Sequence, residues 1–296
     1  MMAVFDFHLH TCWSYDAFSS VEDYFRLAQE KKMRAIAITD HHLMDGYDEV
    51  LQCAEKYPEI GYVRGAELTV HCPIGSYDLV CLNLPLKTPP ELAEVFQRYR
   101  DWQVAYGEAV SRNFCEHGFP FDTAARLRLL QTYRPEKTIR KQGVTHVRFG
   151  TLRDYVLEKG FCRDAQGYAA LRQTFKDLPF YPEYDLVVPA VKKAGGIVMI
   201  AHPYGYFRKN DRKRMDELRE MFQLDGIECA HPDVPKEYTE IYRNYCREHH
   251  LLSSGGSDQH STTEPGPNVF SEHCAPDAWL DELLERVQLF HGGTGK

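Results

Sequence analysis

Two histidines stand one residue apart in "FDFHLHTCWSYDAF" (5–18), at the end of an apolar run. In a β-strand, residues i and i+2 project to the same side. His8 and His10 can therefore turn both imidazoles toward one ion while Leu9 packs on the opposite face. "GGSDQH" repeats the spacing with Asp258 and His260. Between these stretches, Asp40 and His41 ("ITDHH"), Glu67 ("GAELT"), His202 ("IAHP") and His231 ("ECAHP") each close or follow a short apolar run. One His-x-His says little, because core and surface histidines are common. Six strand ends carrying imidazole or carboxylate describe a metal centre. Imidazole and carboxylate without thiolate suit Mn, Zn or Fe, with Mn the expected ion. The donors outnumber what one tetrahedral ion uses, so two or three divalent ions are expected. Clustered dications neutralise phosphoryl oxygens, generate hydroxide near neutral pH and hold attacking and leaving oxygens in line. Uncatalysed phosphate-ester hydrolysis is among the slowest biological reactions and needs that help most.

The elements that must carry these residues follow from periodicity. "AVFDFHLH" and "RAIAIT" read as strands, as do "GYVRGAELTV" and "YDLVCLNL". Between the first two, Ser20 precedes "VEDYFRLAQEKK", with acids in the first turn and lysines in the last. Apolar runs bounded by helices imply a mostly parallel sheet with helices outside, whose C-terminal strand ends gather on one face. From about 89 to 184 the strand signal disappears. "ELAEVFQRYRDWQVAYGEAVSRNFCEHG" reads as one long helix closed by Gly118, and further helices start at Asp122, "FGTLRDYVLEKG" and "DAQGYAALRQTF". The α/β rhythm then resumes. The expected division is a barrel of 1–88 with 185–290, interrupted by a helical insertion, 89–184, that caps the substrate.

Bulk properties bound the function. A chain of 296 residues with 43% hydrophobic content supports one large core or two modest ones. The nine cysteines include no Cys-x-x-Cys pair, which points to thiols in a reducing compartment. With no membrane-length apolar run and no basic leader ahead of one, a cytoplasmic location is expected and a membrane partner is not. A net charge of −8 disfavours coating long nucleic acid and leaves room for a small anionic substrate at a locally basic place. Two such places are 126–148, rich in arginine and lysine, and "FRKNDRKR" (207–214). Most of their members read as solvated helix or loop residues.

"HLHT…SYDA", "ITDHH", "GAELT", "GGIVMIAHP", "DGIECAHP" and "GGSDQH", in this order, resemble the successive motifs of the PHP (polymerase and histidinol phosphatase) family. The middle block, with "VTHVRFGTLRDYVLEKGF", more loosely resembles the helical insertion of its TrpH-like phosphoesterase branch. The resemblance implies a distorted (β/α)7 barrel with up to three metals at its C-terminal mouth. Carried over motif by motif, it implies one ion on His8, His10, Glu67 and Asp258. A second ion shares Glu67 and takes His202, and a third takes Asp16, His41 and His260. The family usually gives the second ion a further histidine. Here the aligned residue is Asp78, with His71 as a rival, and the swap weakens that site or changes its preferred metal. The branch's insertion usually carries an arginine two residues before its histidine. Here that place is Val144, so Arg148 or a neighbouring arginine takes over the substrate phosphate.

Among individual residues, Asp40 is expected to act from behind a ligand, orienting an imidazole or water, or else to cap its loop. His146 and His231 are expected to hydrogen-bond a phosphate or protonate a leaving oxygen, or else to be satisfied structural histidines. Arg148 is the candidate phosphate clamp, against a solvated helix arginine. The implied activity is hydrolysis of a small phosphorylated substrate by a metal-bound hydroxide. The substrate would be a nucleotide bisphosphate, an RNA 5′ end, or a cyclic or sugar phosphate. Histidinol-phosphate phosphatase, an inactive PHP scaffold and a metallo-amidohydrolase are the competing readings.

Overall fold

The computed structural model describes residues 3–263, 268–273 and 275–293. The chain forms two compact units, 1–96 with 182–296 and, between them, 97–181.

The first unit is built on seven strands in chain order: β1 (Phe5–Leu9), β2 (Ala35–Ile38), β3 (Gly61–Cys72), β4 (Gly75–Leu82), β5 (Ile197–Ile200), β6 (Gly226–Ala230) and β7 (Leu252–Gly255). They form a nearly closed barrel of the expected α/β class. Closure comes from the segment after β7 meeting β1: Asp258 N donates to His8 O (2.8 Å) and His10 N to Gln259 O (3.0 Å). The buried Asp6 carboxylate locks the same seam, accepting from Ser257 N and Ser271 N (both 2.9 Å).

The strand ladders are parallel except at β4, which runs antiparallel to both β3 and β5. The cause is local. Cys72 pairs with Gly75, so only Pro73 and Ile74 connect β3 to β4. A two-residue loop can only make a hairpin, whereas parallel neighbours need a crossover of a dozen residues. Gly75 takes φ +136°, which a side chain would strain.

Helices pack against the sheet with their apolar faces inward. The helix α1 (Val21–Glu30) starts as its sequence suggests: Ser20 and Asp23 form a reciprocal capping box, and Val21, Tyr24, Phe25 and Ala28 are buried. Its aromatic residues join Leu9, Ile36, Ile38 and Tyr62 in one apolar cluster. The helix α2 (Tyr47–Lys56) covers the next crossover, and its Val50, Cys53 and Ala54 enter that cluster.

In the second unit, the long helix α3 (Pro90–Glu116) enters from the first and is followed by α4 (Thr123–Leu130), α5 (Glu136–Gln142), α6 (Phe149–Glu158) and α7 (Ala165–Gln173). Asp122 caps α4 by accepting from Ala125 N. Phe114, Phe119, Phe121, Leu130, Val156 and Tyr168 form this unit's own core. After it come α8 (Tyr184–Lys193), α9 (Arg212–Met221), α10 (Lys236–Glu248) and α11 (Asp277–Leu284) of the barrel unit. No helix among the described residues is long and apolar enough to cross a membrane.

Candidate metal centre

The barrel brings the candidate ligands together from the ends of its strands, with two exceptions. His10 follows β1, His41 follows β2, and His202, His231 and Asp258 follow β5, β6 and β7. Glu67 lies in the middle of the long β3. Asp78 enters from the antiparallel β4, paired with Thr69, so that it shares the inner face of the sheet with Glu67.

Glu67 is the hub. Its Oε2 lies 3.3 Å from His8 Nε2, 3.4 Å from His10 Nε2 and 3.0 Å from His41 Nδ1, and its Oε1 lies 3.1 Å from His202 Nε2. Asp258 Oδ1 sits 3.4 Å and 3.1 Å from the same nitrogens of His8 and His10. Among the described residues, four groups each bring ligand atoms within 4.8 Å of one another: His8, His10, Glu67 and Asp258; Glu67, Asp78 and His202; His10, His41 and His260; and His8, Glu228 and His231. Asp16 Oδ2 approaches both His41 and His260 at 3.5 Å. His71 stays apart, with Nδ1 3.4 Å from Ser76 Oγ.

The donor atoms fit metal ions. His8 Nε2, His10 Nε2, His41 Nδ1, Glu67 Oε2 and Asp16 Oδ1 are buried, and among the described residues none of these atoms has a hydrogen-bond partner. Buried polar atoms left this way are costly unless something else satisfies them. They converge here, which is the arrangement a cation needs.

Their tautomers agree. His8 Nδ1 lies 3.0 Å from Glu228 Oε1, an acceptor, so the proton belongs on Nδ1 and the Nε2 lone pair faces Glu67. His260 Nδ1 donates to Asp258 O (2.9 Å), which turns Nε2 toward Asp16. His10 is set by a relay. Ser14 Oγ donates to Asp40 Oδ1 (2.9 Å), so toward His10 Nδ1 (3.1 Å) it acts as acceptor. Asp40 thus reaches His10 through Ser14. Its carboxylate also accepts from Thr11 N (2.6 Å) and Thr11 Oγ1 (2.8 Å), fixing the loop behind the ligands.

His231 differs. Asp233 N donates to its Nδ1 (3.0 Å), so the neutral ring carries its proton on Nε2, 3.7 Å from Asp258 Oδ2. His231 also lies near His8 and Glu228. A ring with that tautomer offers the mouth a proton and has no lone pair free for an ion.

The electrostatics follow from the crowding. Burial works against ionising Glu67, but the charges on His8 and His41 prevail and hold it well below the usual carboxylate range. Asp16 and Asp258 behave alike under their own histidines. Burial also opposes protonation of His202, yet its hydrogen bond to Glu67 and the charges of Glu67, Asp78 and Asp258 raise it to about 9. His10 is the exception: burial, with the charges of His260 and His41, lowers it to about 3. Without metal, the ring balances ionised carboxylates with protons, and binding cations would expel them.

His146 and Arg148 belong to the helical unit. His146 is buried, its Nδ1 3.4 Å from Gln103 O and its ring edge-on to Trp102 and Tyr106. Gly107 allows this, since a Cβ there would lie 2.9 Å from the backbone of Thr145 and His146. Arg148 N donates to Tyr133 Oη (3.1 Å) and Arg148 caps α6.

Two functional contacts escape the sequence reading. Ser14 links Asp40 to His10. Glu228, in "DGIECA", holds His8. The available signal for Glu228 was an acid inside an otherwise apolar strand, since a buried charge requires a partner.

The PHP domain family model matches residues 6–183. No curated protein matches the chain. Among solved structures, a predicted metal-dependent phosphoesterase from Bifidobacterium adolescentis shares the fold with a TM-score of 0.73 and 23% identity, over 96% of each chain. An amidohydrolase from Chromobacterium violaceum, with sulfate bound and no metal, matches with a TM-score of 0.70 and 20% identity, over 96% of this chain and 97% of that one. At these identities they establish the barrel and its elaboration and leave the chemistry to the residues. The motif order, the seven strands and a domain match spanning more than half of the sequence lead to one assignment: this chain belongs to the PHP domain family.

Proposed function

We propose that this protein is a metal-dependent phosphoesterase of the TrpH-like branch that hydrolyses small phosphate mono- or diesters. One observation carries the reading. His8 Nε2, His10 Nε2 and Glu67 Oε2 converge, buried and without a hydrogen-bond partner among the described residues, while Nδ1 of each of the two rings faces a fixed acceptor. Beside them His231 Nδ1 accepts from Asp233 N, which leaves the neutral ring's proton on Nε2.

His8, His10, Glu67 and Asp258 would hold one ion, Glu67, His202 and Asp78 a second, and Asp16, His41 and His260 a third, with Mn the expected ion and Zn or Fe the alternatives. When bound, such ions neutralise phosphoryl oxygens and activate water. The chain's own residues do the rest. His231 donates its Nε2 proton to the leaving oxygen or hydrogen-bonds the phosphoryl group. Asp40, through Ser14, keeps His10 in its ligating tautomer. The charge of −8 favours a nucleotide bisphosphate, a sugar phosphate or a cyclic phosphate over long RNA.

The test is phosphate release from a panel of nucleotide bisphosphates, cyclic phosphates, sugar phosphates and histidinol phosphate, run beside amide substrates, with Mn added. Turnover of phosphate esters alone is the expected result. Turnover of amides alone would overturn the reading. On the best ester, His231→Gln should lower kcat by about 10²-fold or more.

A further inference from the structure

Glu228 lies at the centre of β6, buried among apolar neighbours, and the mechanism above gives it no part. Both of its oxygens are committed. Oε1 is 3.0 Å from His8 Nδ1, and Oε2 accepts from the backbone N of His202 at 2.7 Å. These partners are candidate ligands for two different ions, and they come from different strands, β1 and the end of β5.

We infer that Glu228 is a positioning residue that sets two metal positions at once. Toward His8 it completes the carboxylate–histidine arrangement that fixes tautomer and ring direction and makes the imidazole more basic. Toward His202 its task is steric. His202 takes φ +28°, a backbone conformation uncommon for a residue with a side chain. A short hydrogen bond to its N–H holds that turn, and with it the direction of the ring toward Glu67.

The neighbouring backbone is shaped around this pair. At Gly256 a Cβ would lie 2.2 Å from His8 Cβ and 2.7 Å from Glu228 Oε1. The second glycine of "GGSD" thus lets the loop after β7 close over the His8–Glu228 contact, excluding water that would compete for it. The pair is also charge-balanced: burial opposes ionising Glu228, but His8 and His231 hold its carboxyl below the usual range.

Glu228→Gln distinguishes this role from packing. The amide keeps the shape but has a single acceptor, so it can serve His8 or His202 N–H and never both. Metal-free protein titrated with Mn²⁺ or Zn²⁺ against a competing chelator should bind the His8 and His202 ions about 10- to 100-fold more weakly. The ion on His41 and His260 should be retained at wild-type affinity. Unchanged affinity for all ions, or equal weakening of all of them, overturns the inference. If the variant does not fold, ¹⁵N NMR of the zinc-loaded wild type decides instead. A proton on His8 Nδ1 supports the role, and a proton on Nε2 removes it. The inference rests on the metal reading of the site. A wild-type chain that binds no ion defeats that reading, whereas wild-type binding that Glu228→Gln leaves intact defeats only this one.

Discussion

The two ends of the ligand ring are built from different chemistry. At one end His10, His41 and His260 crowd together, with ring centroids 4.3 Å and 4.2 Å from His10, and Asp16 supplies the oxygen. At the other end Glu67 and Asp78 supply oxygens and only His202 supplies nitrogen. Tyr206 Oη donates to Asp78 Oδ2 at 2.5 Å, taking up one lone pair of that carboxylate. An imidazole-rich pocket favours Zn or Fe, and an oxygen-rich pocket favours Mn or Mg. The difference implies ions of graded affinity around a shared bridge, the oxygen-rich end exchanging first.

The bridge offers the harshest way to break the comparison. Glu67→Gln removes the charge that both ends use, and phosphate release should fall by about 10³-fold or more, several kcal/mol of metal assistance being lost. Metal analysis of the same sample should show ions lost from both ends. Retained stoichiometry would mean the ends are independent.

Asp78→His makes the two ends alike. The variant's second ion should shift its preference toward Zn, by about tenfold in the Zn/Mn affinity ratio, one ligand's worth of discrimination. Chelator competition reads it, and an unmoved ratio would show that Asp78 does not ligate.

The smallest effect is a pH dependence confined to metal-free protein. His202 sits at about 9 in the folded chain, above its ordinary value near 6.5. The stability it contributes is complete below about 6.5 and is lost as pH rises through about 9. Thermal unfolding of metal-free protein should therefore weaken across that window, and saturating Mn²⁺ should abolish the trend. A flat profile in the metal-free protein would place His202 away from Glu67.

Much of this was legible in the chain because the relevant rules are short-range. His8 and His10 obey the period of a strand, and the strand-end positions of His41, His202 and Asp258 follow from where apolar runs stop. Asp258 and His260 are a subtler case. Their spacing matches His8 and His10, but they lie in the loop beyond β7, where Asp258 takes φ +51° and His260 turns back to bond its carbonyl. A turn, and no strand, brings them to one side. The reversed β4 escaped notice because its signal is two residues long, and Glu228 because its partners lie 220 and 26 positions away. The helix α5 was hidden inside a run read for its charge. Tertiary partners are invisible to periodicity, and a buried carboxylate is the one hint that they exist.

Because side chains alternate across a sheet, the β3–β4 hairpin carries a risk of its own. A single-residue slip between these strands would send Asp78 to the helix-covered side and present Leu79 to the ions, with no ligand mutated. Eight paired positions, the ladder from Leu79–Leu82 to β5 and the Tyr206 phenol guard against that slip. The turn at Pro73 and Ile74 is thus where an insertion or deletion would most economically retune what the protein binds.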